Sequence, residues 1–237
     1  MEMSFYVGAI GAFNCTEKLS VVSNNLANFN NTGFKSKTAV FSDLINYNLN
    51  DSPDAVTELQ AGAGMRVART YTTFDVSGAT QTGSQLDYAI LQPNAFFMVQ
   101  DPETDEITYT RDGHFHRADM GGNFYLMTDG GKYVLDENQQ PIVLGENEEE
   151  TEPGLYTFAN PSRLLSVGNN EYVPSDEGVE AIAVEQPSLM KGALESSGTD
   201  MAEEFSRLIE CQRAFSYALK MVQTSDEVTS TINSLRG

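Results

Sequence analysis

Between residues 200 and 235 the apolar residues fall in one repeating pattern. Met201, Phe205, Leu208, Gln212, Phe215, Leu219 and Val222 are spaced alternately by four and three residues, and only Gln212 is polar. That spacing predicts a helix with one narrow apolar stripe, the width a coiled-coil seam needs. Beyond Val222 the stripe slips: Asp226 and Thr229 hold the expected positions, and Val228, Ile232 and Leu235 carry the apolar side chains. A slip of this kind locally changes a supercoil. Thr199 or Asp200 can cap the helix start, and Glu203 and Glu204 sit in the first turn, where the helix dipole favours negative charge. With no Gly or Pro between residues 200 and 236, the helix would be about 54 Å long. One small globular core cannot cover that length, so the helix calls for a partner.

The other end of the chain supplies one. Phe5, Ala12, Leu19 and Leu26 recur every seven residues, with Ala9, Val22 and Phe29 beside them. They predict a helix over 5–28, weakened in its first half by Gly8 and Gly11. The run Asn28-Phe29-Asn30-Asn31-Thr32-Gly33 then stops it, because Asn and Gly tolerate left-handed backbone. A short second helix is expected at 40–47 and an extended polar loop at 51–64. All eight prolines lie between residues 53 and 187, which points to helical ends and a non-helical middle. From residue 65 the texture is one of strands and tight turns: 67–74, a hairpin of 96–100 with 107–111, then 114–117, 124–128, 132–135, 155–158 and 182–185. The expected fold class is α+β, with long N- and C-terminal helices pairing as a coiled coil and a central antiparallel β-rich domain. The expected divisions are an N-terminal helix with its loop (1–50), the polar loop (51–64), the β-rich domain (65–190) and the C-terminal helix (191–237).

Charge narrows the partners. The chain has 34 acidic and 14 basic residues, a formal charge of -20. A field of that sign repels nucleic acid and anionic lipid, so neither nucleic-acid binding nor direct lipid insertion is expected. The longest purely apolar run, 95–99, is too short to span a bilayer. The first residues lack a basic segment followed by an apolar one, so no cleaved secretory signal is expected.

Candidate chemistry changes little. Cys15 and Cys211 form no CxxC pair, which argues against a disulfide scaffold or a cysteine zinc site. They are expected as unpaired thiols on helix flanks. His114 and His116 alternate on one strand and could begin a metal site, but the chain has no third histidine. They read as polar residues on the wet face of a hairpin. The acidic stretch 145–152 lacks the alternating ligands of a calcium loop. Gly62-x-Gly64 precedes a strand and so is no phosphate cradle. No nucleophile elbow or His-Glu-x-x-His motif occurs. No catalytic, cofactor-binding or metal-ligating residue is assigned, no cofactor is expected, and nothing argues for an enzyme.

Leu19-Ser20-Val21-Val22-Ser23-Asn24-Asn25-Leu26-Ala27-Asn28, followed by Thr32-Gly33-Phe34-Lys35, resembles the N-terminal signature of bacterial flagellar rod and hook proteins. Asp200-Met201-Ala202-Glu203-Glu204-Phe205 with Gln212-Arg213-Ala214-Phe215 resembles their C-terminal signature. Leu86-Asp87-Tyr88-Ala89-Ile90, Phe96-Phe97-Met98-Val99 and Tyr109-Thr110-Arg111-Asp112-Gly113 are similar to the opening of the family's β domain. The five motifs occur in order and cover both ends and the centre. Pro93-Asn94-Ala95 stands where the family usually has Gly-x-Gly, and Gly198-Thr199 where it usually has Ser-Asn. The short central region fits the rod type better than the hook type, most like the distal rod members.

The resemblance implies a structural role in the flagellar basal body. Subunits of the family leave the cell through the flagellar type III export apparatus without a cleaved signal. They stack with copies of themselves and with other rod and hook subunits into an axial shaft that transmits torque. The assembly interface is then expected at Leu19, Val22, Leu26, Phe205, Leu208, Phe215, Leu219 and Val222, packing within and between subunits. Asn24, Asn25, Ala27, Asn28, Thr32, Gly33, Phe34 and Lys35 are the signature residues. The alternatives are a proximal rod or short hook-type subunit, and an extracellular β-domain binding module braced by its helices. Self-assembly separates that module from a rod subunit.

Overall fold

The computed structural model describes residues 2–44, 47–48, 60–62, 64–145, 152–176 and 178–236. The chain forms two compact units, residues 1–27, 37–71 and 200–237 in one and 28–36 with 72–199 in the other.

The first unit is built on two helices, α1 (Glu2–Ala27) and α2 (Met201–Arg236), and a two-stranded sheet of β1 (Lys37–Asp43) and β2 (Met65–Thr72). The helices run antiparallel. Ser4 Oγ meets Ser225 Oγ at 2.8 Å, Gly8 lies against Val222, Gly11 against Ala218, and Asn25 reaches Glu204. Asp200 is the cap of α2: its Oδ1 accepts the backbone N–H groups of Ala202 and Glu203 at 2.8 and 3.1 Å. The short helix expected at 40–47 does not form. Residues 37–43 are strand β1, and 45–46 lie outside the described residues. Thr38-Ala39-Val40-Phe41 suits a pleated strand, and pairing with β2, far along the sequence, decides the local preference. Most of the loop expected at 51–64 also lies outside the described residues.

Among its described residues the second unit contains fourteen short strands. They are β3 (Ala79–Gln81), β4 (Tyr88–Ile90), β5 (Ala95–Gln100), β6 (Ile107–Thr110), β7 (Phe115–Met120), β8 (Asn123–Thr128) and β9 (Tyr133–Val134). There follow β10 (Val143–Leu144), β11 (Leu155–Phe158), β12 (Leu164–Gly168), β13 (Glu171–Pro174), β14 (Ala181–Ala183), β15 (Leu189–Lys191) and β16 (Ala193–Glu195). Ten of them make one sheet in the order β10-β8-β9-β5-β6-β13-β12, with β11 joining β5 and β14, and β7 joining β8. The pairings β4–β15 and β3–β16 are separate two-stranded ladders. These pairings are antiparallel, including the hairpin of β5 and β6.

Strand β5 organises this core. Its run Ala95-Phe96-Phe97-Met98-Val99 is buried on both faces. Alternation sends Ala95, Phe97 and Val99 into one apolar cluster with Phe115, Leu126 and Leu155. It sends Phe96 and Met98 into a second, aromatic cluster with Phe74, Tyr109, Tyr156, Phe158 and Tyr172. There Phe74 meets Phe96 and Tyr172 edge-on with centroids 5.1 and 5.2 Å apart, and Tyr109 meets Phe158 at 4.8 Å. Such pairs contribute roughly 0.5–1.5 kcal/mol beyond area burial.

Two of these rings are ionisable. Burial pushes the phenols of Tyr109 and Tyr172 up to about 12. In the unfolded chain they titrate near 10, so above that pH the unfolded state holds fewer protons than the folded one and stability falls. The stabilisation is complete below pH 10 and is lost as pH rises towards 12, on the order of 2 kcal/mol for each ring. Urea titrations between pH 8 and 12 are expected to show a flat midpoint up to about 10 and a steep fall above it. A Tyr172→Phe variant is expected to fall less steeply.

Candidate assembly site

The face on which α1 and α2 meet is lined by small and polar side chains. On α2, Glu204, Cys211, Ala218, Ser225 and Ile232 recur every seven residues and are buried or half-buried. On α1, Gly8, Ala12, Cys15, Val22 and Asn25 are buried. The helices approach closely: a Cβ added at Gly8 would stand 3.0 Å from Val222 Cγ2 and 3.3 Å from the carbonyl oxygen of Ala218. The stripe expected from the large apolar residues is therefore rotated. Val22 is buried, and Leu19, Leu26, Leu208 and Val222 are half-buried. Phe205, Phe215 and Leu219 are left 49%, 37% and 41% exposed. The cysteines, expected on helix flanks, are buried thiols. Burial pushes both above their ordinary range, and Lys18 draws both partly back.

Two asparagines tie α1 to the sheet. Asn14 Nδ2 donates to Met65 O at 2.8 Å, and its Oδ1 accepts the Val67 N–H at 3.0 Å, so the amide acts as an extra rung on β2. Asn25 does the same on β1: Nδ2 donates to Lys37 O at 2.8 Å and Oδ1 accepts the Lys37 N–H at 2.9 Å. Asn25 Nδ2 also donates to Glu204 Oε1, which Arg207 holds from the next turn. Asn14 was not singled out by the sequence reading. Its only signal is a polar residue at an otherwise apolar position.

The large apolar residues sit on the flanks instead. At 100° per residue, Met201, Phe205, Ile209 and Leu219 lie to one side of the buried face of α2, and Tyr217, Met221, Val228 and Leu235 to the other. All eight are at least 40% exposed. On α1, Phe5, Tyr6 and Phe13 are exposed too. Both flanks of α2 thus present large apolar side chains interspersed with polar ones.

In the second unit the segment after α1 is fixed by a buried charge cluster. Glu195 Oε1 accepts from Lys35 Nζ at 2.7 Å, the Ser77 N–H at 2.8 Å and Arg111 Nη2 at 3.2 Å, and Oε2 accepts from Arg111 Nε at 2.9 Å. All three charged side chains are at most 1% exposed. Arg111 spends its remaining donors on the carbonyls of Gln92 and Ala95, and Lys35 donates to Asp75 O at 2.6 Å. Burial and the neighbouring guanidinium lower the Lys35 pKa, while Glu195 raises it. Gly33, at φ +65°, donates its N–H to Glu195 O at 2.8 Å; a Cβ there would stand 2.6 Å from the Arg111 backbone, so only glycine fits. Thr32 Oγ1 donates to Asp112 Oδ1 at 2.8 Å, and Phe34 is buried.

Beside this segment lies a polar cleft of about 550 Å³ lined by Thr32, Asp112, His114, Asp129, Asn170 and Glu171 among others. Burial raises the Asp112 pKa. His114 Nδ1 and His116 Nδ1 both face Asp129, at 3.3 and 3.5 Å. Among the described residues no three His, Cys, Asp or Glu side chains are grouped as a metal site.

Residues 190–235, which include Glu195 and the flanks of α2, match the family described as flagellar basal body rod FlgEFG protein, C-terminal. Over its whole length the chain is 29% identical to the flagellar basal-body rod protein FlgG of Bacillus subtilis, covering all of both chains. It is 32% identical to FlgG of Buchnera aphidicola subsp. Schizaphis graminum over 92% of this chain and 93% of the relative. The chain belongs to the FlgG family of flagellar basal-body rod proteins. It is also 25% identical to the flagellar hook-basal body complex protein FlhP of Bacillus subtilis, over 93% of this chain and 94% of the relative.

The residues expected as the family signature have these places in the structure. Asn25 and Glu204 join the two helices. Ala27 is the last residue of α1, and Asn28 O accepts from Ser197 Oγ at 2.9 Å. Thr32 and Gly33 shape the turn, and Lys35 enters the charge cluster. Asn24 is exposed. Where the family usually has Gly-x-Gly, Asn94 takes left-handed backbone at φ 57° between Pro93 and Ala95. The change to Gly198-Thr199 leaves the Asp200 cap intact.

Removing one member of a buried ion cluster leaves the others uncompensated, at a cost of roughly 3–5 kcal/mol. Glu195→Gln strands Lys35 and Arg111 in a dry interior. Urea denaturation of the purified chain is expected to show a loss of that size, against less than about 0.5 kcal/mol for the exposed substitution Glu103→Gln.

Proposed function

We propose that this chain is a structural subunit of the flagellar basal-body rod, most like the distal rod members of its family. It polymerises with copies of itself and adjoins other rod and hook subunits in an axial shaft that transmits torque. The carrying observation is the large apolar surface left bare on both flanks of α2 and on α1, in a chain 32% identical to a rod protein over nearly its full length. Large apolar side chains exposed in this number along one helix pair mark an interaction face. The antiparallel helix pair is the proposed coiled coil, with Val22, Leu26, Leu208 and Val222 packing within the subunit. Phe205, Phe215 and Leu219 then pack between subunits.

The rest of the reading follows from this role. Among the described residues no helix is long and apolar enough to cross a membrane. The proposed route out is the flagellar type III apparatus, without a cleaved signal. The work is mechanical, with no substrate to turn over. The binding-module alternative is not favoured, because relatives that match over the full length are rod proteins.

The test is Phe205→Asp. Phe205 is half exposed in the subunit, so folding is expected to change by no more than about 0.5 kcal/mol. Between subunits the carboxylate would be buried without a partner, which costs several kcal/mol. Purified Phe205→Asp is expected to keep its helix content and melting profile, while cells carrying it build no complete basal body and do not swim. Normal motility would contradict the reading. Asp226→Ala, an exposed change, is expected to swim normally.

A further inference from the structure

The bare flank of α2 needs a receptor, and the first unit contains a shape that fits. A cleft of about 410 Å³ opens there between α1 and the sheet, lined by Val7, Gly11, Phe41, Gly64 and Met65. Its lining is mostly apolar, with Ser42 beside Phe41, Lys18 Nζ over the Phe41 ring, and Asp43, which is exposed and makes no ion pair among the described residues. We propose that this cleft receives the Phe205–Ile209–Leu219 flank of α2 from a second copy of the chain. The inference rests on the rod reading and names the two surfaces that would meet.

Charge chooses between the flanks of α2. Behind Phe205, Ile209 and Leu219, one turn on or adjacent, stand Arg213 and Lys220. Both are exposed and without an ion pair among the described residues. Glu227 shares this flank further along, so the stripe carries two cations and one carboxylate, a net positive edge that matches the carboxylate edge of the cleft. The opposite flank, with Tyr217 and Met221, borders Glu203 and Glu210 and would bring like charge to Asp43.

Charge also favours the unit as a whole. The second unit carries 22 of the 34 acidic residues, so copies approach at least cost through the first. Cleft and flank are different surfaces of one molecule, so their contact is head-to-tail. A head-to-tail contact that does not close on itself generates an open helical assembly.

The contact is tested by cross-linking in cells. Asp43→Cys and Arg213→Cys are placed together in the full chain, swimming cells are treated with copper phenanthroline, and isolated basal bodies are run on non-reducing gels. The double variant is expected to give a ladder of dimers, trimers and higher species. Each single variant is expected to give none, because a head-to-tail contact never brings identical residues together. Co-expressed single variants are expected to stop at dimers. The unaltered chain, whose own thiols are buried, is the blank.

Swimming cells whose double variant gives no ladder would overturn the pairing and leave the rod reading intact. Absence of the unaltered chain from isolated basal bodies would instead overturn the rod reading. Should the cysteines themselves block assembly, charge reversal decides. Asp43→Lys alone, or Arg213→Glu with Lys220→Glu alone, is expected to reduce the swimming fraction at least roughly tenfold. All three changes together are expected to restore it, and failure to restore would equally overturn the pairing.

Discussion

A pair of helices can share only one face, and α2 carries large apolar side chains on both sides of that face. The shared face is taken by Gly8, Ala12 and Cys15 opposite Cys211 and Ala218, side chains small enough to let the backbones come close. That choice places the large residues outside. Phe205, Ile209, Tyr217 and Met221 are exposed because the interior of the pair has no room for them. Close packing inside and unburied area outside are thus one fact seen from two sides. On the proposed reading a chain built this way is incomplete as a monomer, and these side chains gain their burial from a neighbour.

Such a surface is useful only if it is held still. In the first unit Asn14 and Asn25 fix α1 against the two strands, each with a donor and an acceptor matched to backbone groups that would otherwise be bare. In the second unit Glu195 meets Lys35 and Arg111 in a dry interior. An apolar cluster of the same volume could be as stable. The ionic cluster adds direction, because each donor has one acceptor and the turn at Gly33 is tied to the same residue through its backbone.

Much of this was legible in the sequence, for physical reasons. The positions of the prolines and the seven-residue spacings gave both helices to within a few residues, and the carboxylate at 200 gave the start of α2. The unbroken run at 95–99 marked a strand buried on both faces. The seam itself was misplaced by one position. Reading only large apolar residues overlooks a close-packed face made of Gly, Ala, Cys and Ser, and α2 places Cys211, Ala218 and Ser225 there. The short helix expected at 40–47 overlaps strand β1 because the partner strand β2 and the anchor Asn25 lie outside any local window. The charge cluster was illegible for a similar reason: Glu195 lies 84 residues from Arg111 and 160 from Lys35. Sequence similarity marked Lys35 as a signature residue, and only the structure supplies the carboxylate it serves.

The central claim is that the exposed apolar flanks of the helix pair are buried between subunits. Hydroxyl-radical footprinting reads it directly, because Phe205, Tyr217 and Met221 are oxidisable and exposed in the single chain. The account predicts that these three residues are modified readily in the purified monomer and strongly protected in intact basal bodies, while Tyr125, half-buried in the second unit, changes little. Equal modification of Phe205, Tyr217 and Met221 in the two states would contradict it.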